Sequence, residues 1–157
     1  MNEAKHTEPP SPDYALTPEG LKALERDLAT LRDKRAHVAT GDVMREEQLL
    51  LDARIASLED VLDRAWTVHP ASVESGVVAI GTTVAVRDLT TDETERYRVV
   101  GKYEPLRPGE LSAASAIGRA LMGLRVGETV DVDLPNGRVR QLEVQAADPR
   151  GLVAEAG

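Results

Sequence analysis

The chain has 157 residues, with 19 basic and 27 acidic side chains and a formal charge of −8 at pH 7. It contains no cysteine, which excludes disulfides, thiolate zinc sites and cysteine nucleophiles. With no phenylalanine, one tryptophan and three tyrosines, it lacks the basic surface and stacking side chains of a nucleic-acid-binding protein. No apolar run reaches the roughly 18 residues of a membrane span. We therefore expect a soluble, cytoplasmic protein with a protein partner and no membrane contact.

The N-terminal third predicts a short leader followed by a helix. Residues 1–15 are polar and proline-rich, which indicates a disordered leader. Thr17-Pro18-Glu19 is typical of a helix start, with an N-cap, a proline at the first helical position and an acid in the first turn. The apolar residues that follow have the 3,4,3 spacing of a coiled-coil seam: Leu21, Leu24, Leu28 and Leu31.

A second helical pattern follows a break at residues 39–42. Gly41 is expected to end the first helix and Asp42 to cap the second. The second seam has the spacing 4,3,4 and consists of Leu51, Ile55, Leu58 and Leu62. Because the two stretches are similar in length and the link is short, residues 16–66 are predicted to form an antiparallel coiled-coil hairpin.

The second half of the chain has a different composition. Residues 67–76 include Pro70 and predict a linker, and Trp66 before them is expected to pack between the two parts. Strands are predicted over residues 77–86, 95–100, 129–134 and 138–146. Ser112 to Met122 predicts one short helix. We therefore expect an α+β chain in which the helical hairpin precedes a small, mostly antiparallel β-domain over residues 77–157.

Two long motifs carry a resemblance to a known family. L-T-P-E-G-L-K-A-L-E-R-D-L at residues 16–28 is similar to the first-helix opening of the bacterial Gre transcript-cleavage factor family. S-A-A-S-A-I-G-R-A-L-M-G-L-R-V-G-E-T-V-D-V-D-L-P-N-G at residues 112–137 is similar to that family's C-terminal signature. The runs at residues 80–84 and 97–101 match two further strands. The resemblance extends over residues 16–147 and implies that the C-terminal domain is FKBP-like.

The resemblance implies an action on bacterial RNA polymerase. Family members bind the polymerase through the C-terminal domain and insert the coiled coil into its secondary channel. Acidic residues at the coil tip then help to hold a second Mg²⁺ in the polymerase active site. Two metal ions steady the attacking water and the leaving oxygen, and Mg²⁺ prefers carboxylate and water ligands. The resemblance thus implies a monomeric factor that is not itself an enzyme, with no intrinsic cofactor and at most a Mg²⁺ shared with the polymerase.

The tip sequence departs from the family pattern. The family has approximately G-D-x-x-E-N, whereas residues 41–47 are G-D-V-M-R-E-E. Asp42 matches the family aspartate, and Arg45 stands where the glutamate is expected. Asp42, Glu46 and Glu47 are therefore the candidate Mg²⁺ contacts, although Asp42 is also an ordinary helix cap. Arg45 works against this role because it places a cation beside the metal.

The arms are also shorter than those of the family. Measured between shared motifs, each lacks roughly two helical turns, or about 12 Å of reach. Such an arm does not bring a carboxylate to the catalytic metal. We therefore expect a regulator that modulates transcription elongation or competes for the channel. Two alternatives stay open: a true cleavage factor using Asp42 and Glu46, and a coiled-coil adaptor for another protein partner.

Three other groups of residues have two interpretations each. The resemblance implies polymerase docking by a helix that also has the pattern of a core helix, and its candidate residues are Ser115, Ala116, Ile117 and Arg119. The basic residues near the tip predict either contact with nascent RNA or a solvated face, and the second is preferred: Arg32, Lys34, Arg35 and His37. Prolyl isomerisation needs an aromatic pocket and is disfavoured, because residues 77–157 contain only Tyr97 and Tyr103 as aromatics.

Overall fold

The structure, a computed structural model, describes residues 10–38 and 42–150, with the side chains of Asp42 and Val43 outside this description. It contains helices and a curled sheet, as expected. The elements in chain order are a 3₁₀ turn at Pro12–Tyr14, β1 (Ala15–Leu16), α1 (Pro18–Ala36), α2 (Asp42–Arg64), β2 (Trp66–Thr67), a 3₁₀ turn at Pro70–Ser72, β3 (Thr83–Asp88), β4 (Thr94–Val100), β5 (Glu110–Ser112), α3 (Ala116–Leu121), β6 (Thr129–Asp133) and β7 (Val139–Asp148). Within the two described ranges, no helix has both the length and the apolar character of a membrane span.

Helices α1 and α2, which we call the helical arm, pack against each other. Arg32 pairs with Glu59 at 2.6 Å, and Arg35 pairs with Asp52 at 2.7 Å. Partner numbers on α2 therefore fall as those on α1 rise, so the helices run in opposite directions. The predicted helix end at Gly41 lies outside the described residues.

Strands β3 to β7 form one five-stranded sheet in the order β5-β4-β3-β7-β6. The pairs β3–β4, β3–β7 and β6–β7 are antiparallel. A register shift between Ala85 and Val86 marks a bulge in β3, a feature that bends a sheet. The edge strand β5 is parallel to β4. Three of the four strand pairs are thus antiparallel, as a mostly antiparallel domain requires. The pair β4–β5 is the exception, because residues 101–109 form a crossover that returns the chain in the same direction.

The junction of the arm and the sheet contains a second, two-stranded sheet. Strand β1 pairs with β2 in parallel, with Ala15 opposite Trp66. Successive residues of a strand face opposite sides. Ala15, 2% exposed, accordingly packs in the sheet core, and Leu16, fully buried, packs in the arm core. The end of the leader predicted over residues 1–15 is thus part of the folded structure, because pairing with β2 orders it.

Several predicted boundaries differ from the observed ones. The strand predicted over residues 77–86 begins only at Thr83, since Gly81 has a φ of +91°, outside strand geometry. The helix predicted from Ser112 begins at Ala116, because Ser112 ends β5. The division of the chain into a hairpin (residues 16–66), a linker (67–76) and a β-domain (77–157) stays a prediction.

Candidate functional site

The candidate acidic residues lie at the start of α2. This helix has 23 residues from Asp42 to Arg64, so its first residue is about 33 Å from its last. Asp42 and Glu46 are four residues apart and therefore share a helix face. Arg45 and Glu46 are exposed, and Glu47 is half-buried. A cation and a carboxylate thus lie side by side in solvent at the start of the helix.

The carboxylates that the structure describes at the tip are those of Glu46 and Glu47. Among the residues whose side chains the structure describes, which do not include Asp42, no group of three or more aspartate, glutamate or histidine side chains could hold a metal. Mg²⁺ requires near-octahedral oxygen coordination. Glu46 and Glu47 are adjacent on a helix and therefore point in different directions. These two carboxylates alone do not supply the six oxygen ligands that Mg²⁺ prefers.

The basic residues near the tip mostly have partners within the arm. Arg32 and Arg35 form ion pairs with acids of α2, and both pairs are exposed. The Nδ1 atom of His37 lies 2.8 Å from the carbonyl oxygen of Asp33. Intramolecular pairing occupies charges that a nucleic acid would otherwise use. The geometry favours a solvated helix face over a site for nascent RNA.

Ser115 fixes the start of the predicted docking helix, α3. Its Oγ accepts a hydrogen bond from the Gly118 N–H at 3.0 Å and donates one to the Ser112 carbonyl at 2.7 Å. A Cβ at Gly118 would lie 2.0 Å from that same carbonyl oxygen. Only glycine allows this approach, so the first turn of α3 is held tightly against the end of β5.

The other predicted docking residues divide between two faces of α3. Ala116 and Ile117 are half-buried and pack against the sheet core, whereas Arg119 is exposed. Leu121 is fully buried in the sheet core. Met122 is 36% exposed, because it lies just beyond the last turn of the helix. The core and docking interpretations therefore apply to different side chains.

A groove of about 530 Å³ lies beside α3. Its lining consists of Pro12, Asp13, Ile80, Lys102, Ala113, Ala114, Arg119 and Met122. Sequence reasoning identified Arg119 but missed Lys102, which comes from the β4–β5 crossover. No local pattern indicates Lys102, since only the unpredicted parallel pairing of β5 brings the crossover beside α3.

The two tyrosines considered for an isomerase pocket lie in separate environments. The Tyr97 hydroxyl donates a hydrogen bond to Glu95, and burial raises the pKa of Tyr97, with the adjacent carboxylate adding to the effect. Tyr103 instead stacks on Tyr14 at the base of the arm, with 5.3 Å between ring centroids. These contacts favour structural roles for both rings.

A carboxylate on β3 closes the turn before β4. Asp88, 6% exposed, accepts hydrogen bonds from the backbone N–H groups of Thr90 and Thr91 at 2.8 and 3.2 Å. Arg140 on β7 donates to it at 2.9 Å and pairs with Glu95 at 3.2 Å. The Thr90 hydrogen bond, followed by that of Arg140, lowers the pKa of Asp88. The cluster links β3, β4 and β7 on one face of the sheet.

Comparisons with known proteins agree with the C-terminal motif. The family model described as "Transcription elongation factor, GreA/GreB, C-term" matches residues 73–149. Transcription elongation factor GreA of Rhodospirillum rubrum is 35% identical over 140 residues, covering 78% of this chain and 89% of the relative. The same factor of Caldanaerobacter subterraneus subsp. tengcongensis is 38% identical over 144 residues, covering 80% and 91%.

A solved structure is also similar to the chain. The Gfh1 protein of Thermus thermophilus, a GreA factor homologue, has 30% sequence identity and a TM-score of 0.40, covering 85% of this chain and 97% of its own. A TM-score of this size does not establish a common arrangement of arm and sheet. The sequence relatives are sufficient: the chain belongs to the GreA/GreB family of transcription elongation factors.

Proposed function

We propose that this protein regulates transcription elongation by binding bacterial RNA polymerase and inserting the helical arm into its secondary channel. There it modulates elongation or competes with other channel-binding factors rather than stimulating transcript cleavage. It acts as a monomer, and any RNA cleavage is the polymerase's own reaction. Membership of the GreA/GreB family supports the polymerase as the partner.

In this proposal the two parts of the chain have separate tasks. The arm is an antiparallel coiled coil that enters the channel, supported by the leucine spacing and the ion pairs between α1 and α2. The sheet with α3 is an FKBP-like domain that docks on the polymerase. Arg119 is the docking residue most available to a partner, since it is exposed while Ala116 and Ile117 pack inward.

The observation that carries the regulatory role is the exposed Arg45 in the first turns of α2. It stands where the family resemblance implies a metal-binding glutamate, and it is adjacent to Glu46. A guanidinium at this position opposes a second Mg²⁺ by direct charge repulsion, which strengthens at short range away from bulk water. The tip therefore occupies the channel without completing the metal site.

Purified core polymerase and stalled elongation complexes provide the test. We expect the protein to bind the polymerase at micromolar concentrations and to slow nucleotide addition, without shortening the RNA faster than polymerase alone. Endonucleolytic shortening that disappears in Asp42→Ala would contradict the proposal. Absence of any binding would instead favour an adaptor role with another protein partner.

A charge reversal separates the effects of charge and reach at the tip. If the positive charge of Arg45 prevents the tip from supporting RNA cleavage, the Arg45→Glu variant should stimulate cleavage. If the short arm prevents it, the variant should not stimulate cleavage. Arg54→Glu is the matched control, because Arg54 is an exposed arginine on the same helix, nine residues or about 14 Å further from the tip. Cleavage gained by both variants would point to a general charge effect on binding.

A cleavage-stimulating role is the second candidate, and one observation favours it. Asp42 and Glu46 are one helical turn apart on α2, so an offset carboxylate pair is compatible with the helix. In that case Asp42→Ala and Glu46→Ala should each abolish cleavage while leaving polymerase binding unchanged. Asp63→Ala, at an exposed acid near the other end of α2, is the comparison for specificity.

A further inference from the structure

The base of the arm contains a carboxylate that is nearly excluded from solvent. Glu104, in the crossover between β4 and β5, is 9% exposed. Its Oε2 accepts hydrogen bonds from the backbone N–H groups of Thr17 at 2.8 Å and Gly101 at 2.6 Å, and its Oε1 accepts one from the Thr17 hydroxyl at 2.6 Å. Two of the three bonds are made by Thr17, which lies 87 positions before Glu104 in the chain.

These bonds continue into the first turn of the arm. Thr17, 1% exposed, is the N-cap of α1, and its Oγ1 accepts from the Gly20 N–H at 3.0 Å while donating to Glu104. The carboxylate therefore lies beside the N-terminus of α1, where a negative charge is stabilised by the helix dipole. The hydroxyl that caps the helix also fastens it to the crossover.

Two glycines make room for this arrangement. A Cβ at Gly20 would lie 1.9 Å from the Glu104 Oε1 atom, and a Cβ at Gly101 would lie 2.1 Å from the Ala15 carbonyl oxygen. Neither glycine has a positive φ in the structure. Close approach, rather than an unusual backbone conformation, therefore calls for a residue without a side chain at both positions.

The β1–β2 ladder joins the bases of the two helices to each other. The apolar and ionic contacts between arm and sheet constrain direction less. Leu16, Leu24 and Val61 form an apolar cluster, and apolar contacts are not directional. Arg98 on β4 pairs with Glu19 at 3.0 Å, with 31% and 56% of their side chains exposed, and exposed pairs are weak. Hydrogen bonds to a buried carboxylate are short and directional, and they are stronger than neutral ones.

We infer that Glu104 is the positioning residue of the arm: its bonds to Thr17 set the direction in which α1 leaves the sheet. Given the proposed function, this direction aligns the arm with the polymerase channel while the sheet is docked. Loss of the carboxylate leaves the sheet folded and the apolar cluster in contact, but it allows α1 to change its angle.

Distances between arm and sheet in the full chain test this inference. The natural chain has no cysteine, so Ala29→Cys on α1 and Val139→Cys on β7 give two unique sites for spin labels. Both positions are exposed. We expect a narrow distance distribution in the parent and at least a twofold broader one in Glu104→Ala. Glu104→Gln, which keeps an oxygen acceptor, should lie between them.

The matched control is Glu19→Ala, which removes the exposed pair across the same junction and should leave the distribution narrow. Gly20→Ala displaces the carboxylate without removing it and should broaden the distribution, so the test does not depend on Glu104→Ala folding. Amide exchange in β3 and β7 should remain as in the parent. An unchanged width in both Glu104→Gln and Gly20→Ala would overturn the inference, as would equal broadening in Glu19→Ala.

An elongation assay tests the functional consequence separately. At concentrations that saturate the polymerase, Glu104→Ala should inhibit nucleotide addition at least threefold less than the parent. Equal inhibition despite a broadened distribution would refute the role of arm direction. If the parent itself does not bind polymerase, the proposed function fails, while the distance measurements still decide what Glu104 does.

Discussion

The sheet and the helical arm obtain their stability in different ways. The sheet encloses a continuous buried cluster that includes Val84, Val99, Leu142 and Val144, all fully buried. The arm is buried mainly where it meets the sheet, and Leu49 and Leu50 near the start of α2 are 63% and 67% exposed. Two exposed leucines offer far less surface than the roughly 800 Å² that each partner buries in a stable protein–protein interface.

This difference indicates that the two regions respond differently to the same perturbation. A closed apolar core unfolds cooperatively, whereas a two-helix arm with few buried contacts opens locally at a lower free energy. Under the proposed function, the sheet provides the fixed docking surface. The arm is suited to adapting inside a narrow space, provided that its base is held in a defined direction.

The largest expected effect is a loss of packing in the sheet. Leu142→Ala should lower the free energy of unfolding by about 2–5 kcal/mol, because Leu142 is fully buried and the cavity cannot collapse. Leu28→Ala, at a position 7% exposed in the arm, should cost less, about 2 kcal/mol, because the arm can close around the gap. Urea unfolding followed by circular dichroism measures both. Equal losses would show that Leu28 is packed in the arm as tightly as Leu142 is packed in the sheet.

The next effect is confined to the sheet and depends on pH. Because its folded-state pKa is lowered, Asp88 stabilises the fold above its unfolded-state pKa and loses this contribution as pH falls through the folded-state value. Parent stability should therefore decline more steeply than that of Asp88→Asn below about pH 4. Asp131→Asn, at an exposed carboxylate on β6, is the control. Parallel stability curves for parent and Asp88→Asn would contradict the assignment.

Local signals in the sequence were sufficient for some elements. Thr17-Pro18 marks the start of α1 because its capping hydroxyl acts within three residues. Asn136-Gly137 marks the β6–β7 hairpin, because the turn requires a positive φ and Gly137 adopts one of +84°. The leucine spacing also predicted both helices, because successive seam residues are only three or four positions apart. Such features are set by neighbours along the chain.

The residues that sequence reasoning missed depend on distant partners. Glu104 stands between a tyrosine and a proline in a loop and has the local pattern of a surface residue. Its role depends on Thr17, and Lys102 reaches the groove beside α3 only through the crossover to β5. The resemblance identified Asp42, and the helical spacing from Asp42 identified Glu46. Their function stays a prediction because it requires a second molecule.

The smallest expected effect concerns the ion pairs of the arm. Arg35 Nε lies 2.7 Å from Asp52 Oδ1, with 36% and 51% of the side chains exposed. Exposed pairs contribute about 0.2–1 kcal/mol and are screened by salt. A double-mutant cycle of Arg35→Ala and Asp52→Ala should give a coupling energy of about 0.5 kcal/mol that disappears near 1 M salt. A coupling above about 2 kcal/mol would mean that the arm is held by charge as firmly as the sheet is held by packing, because it would match a buried leucine.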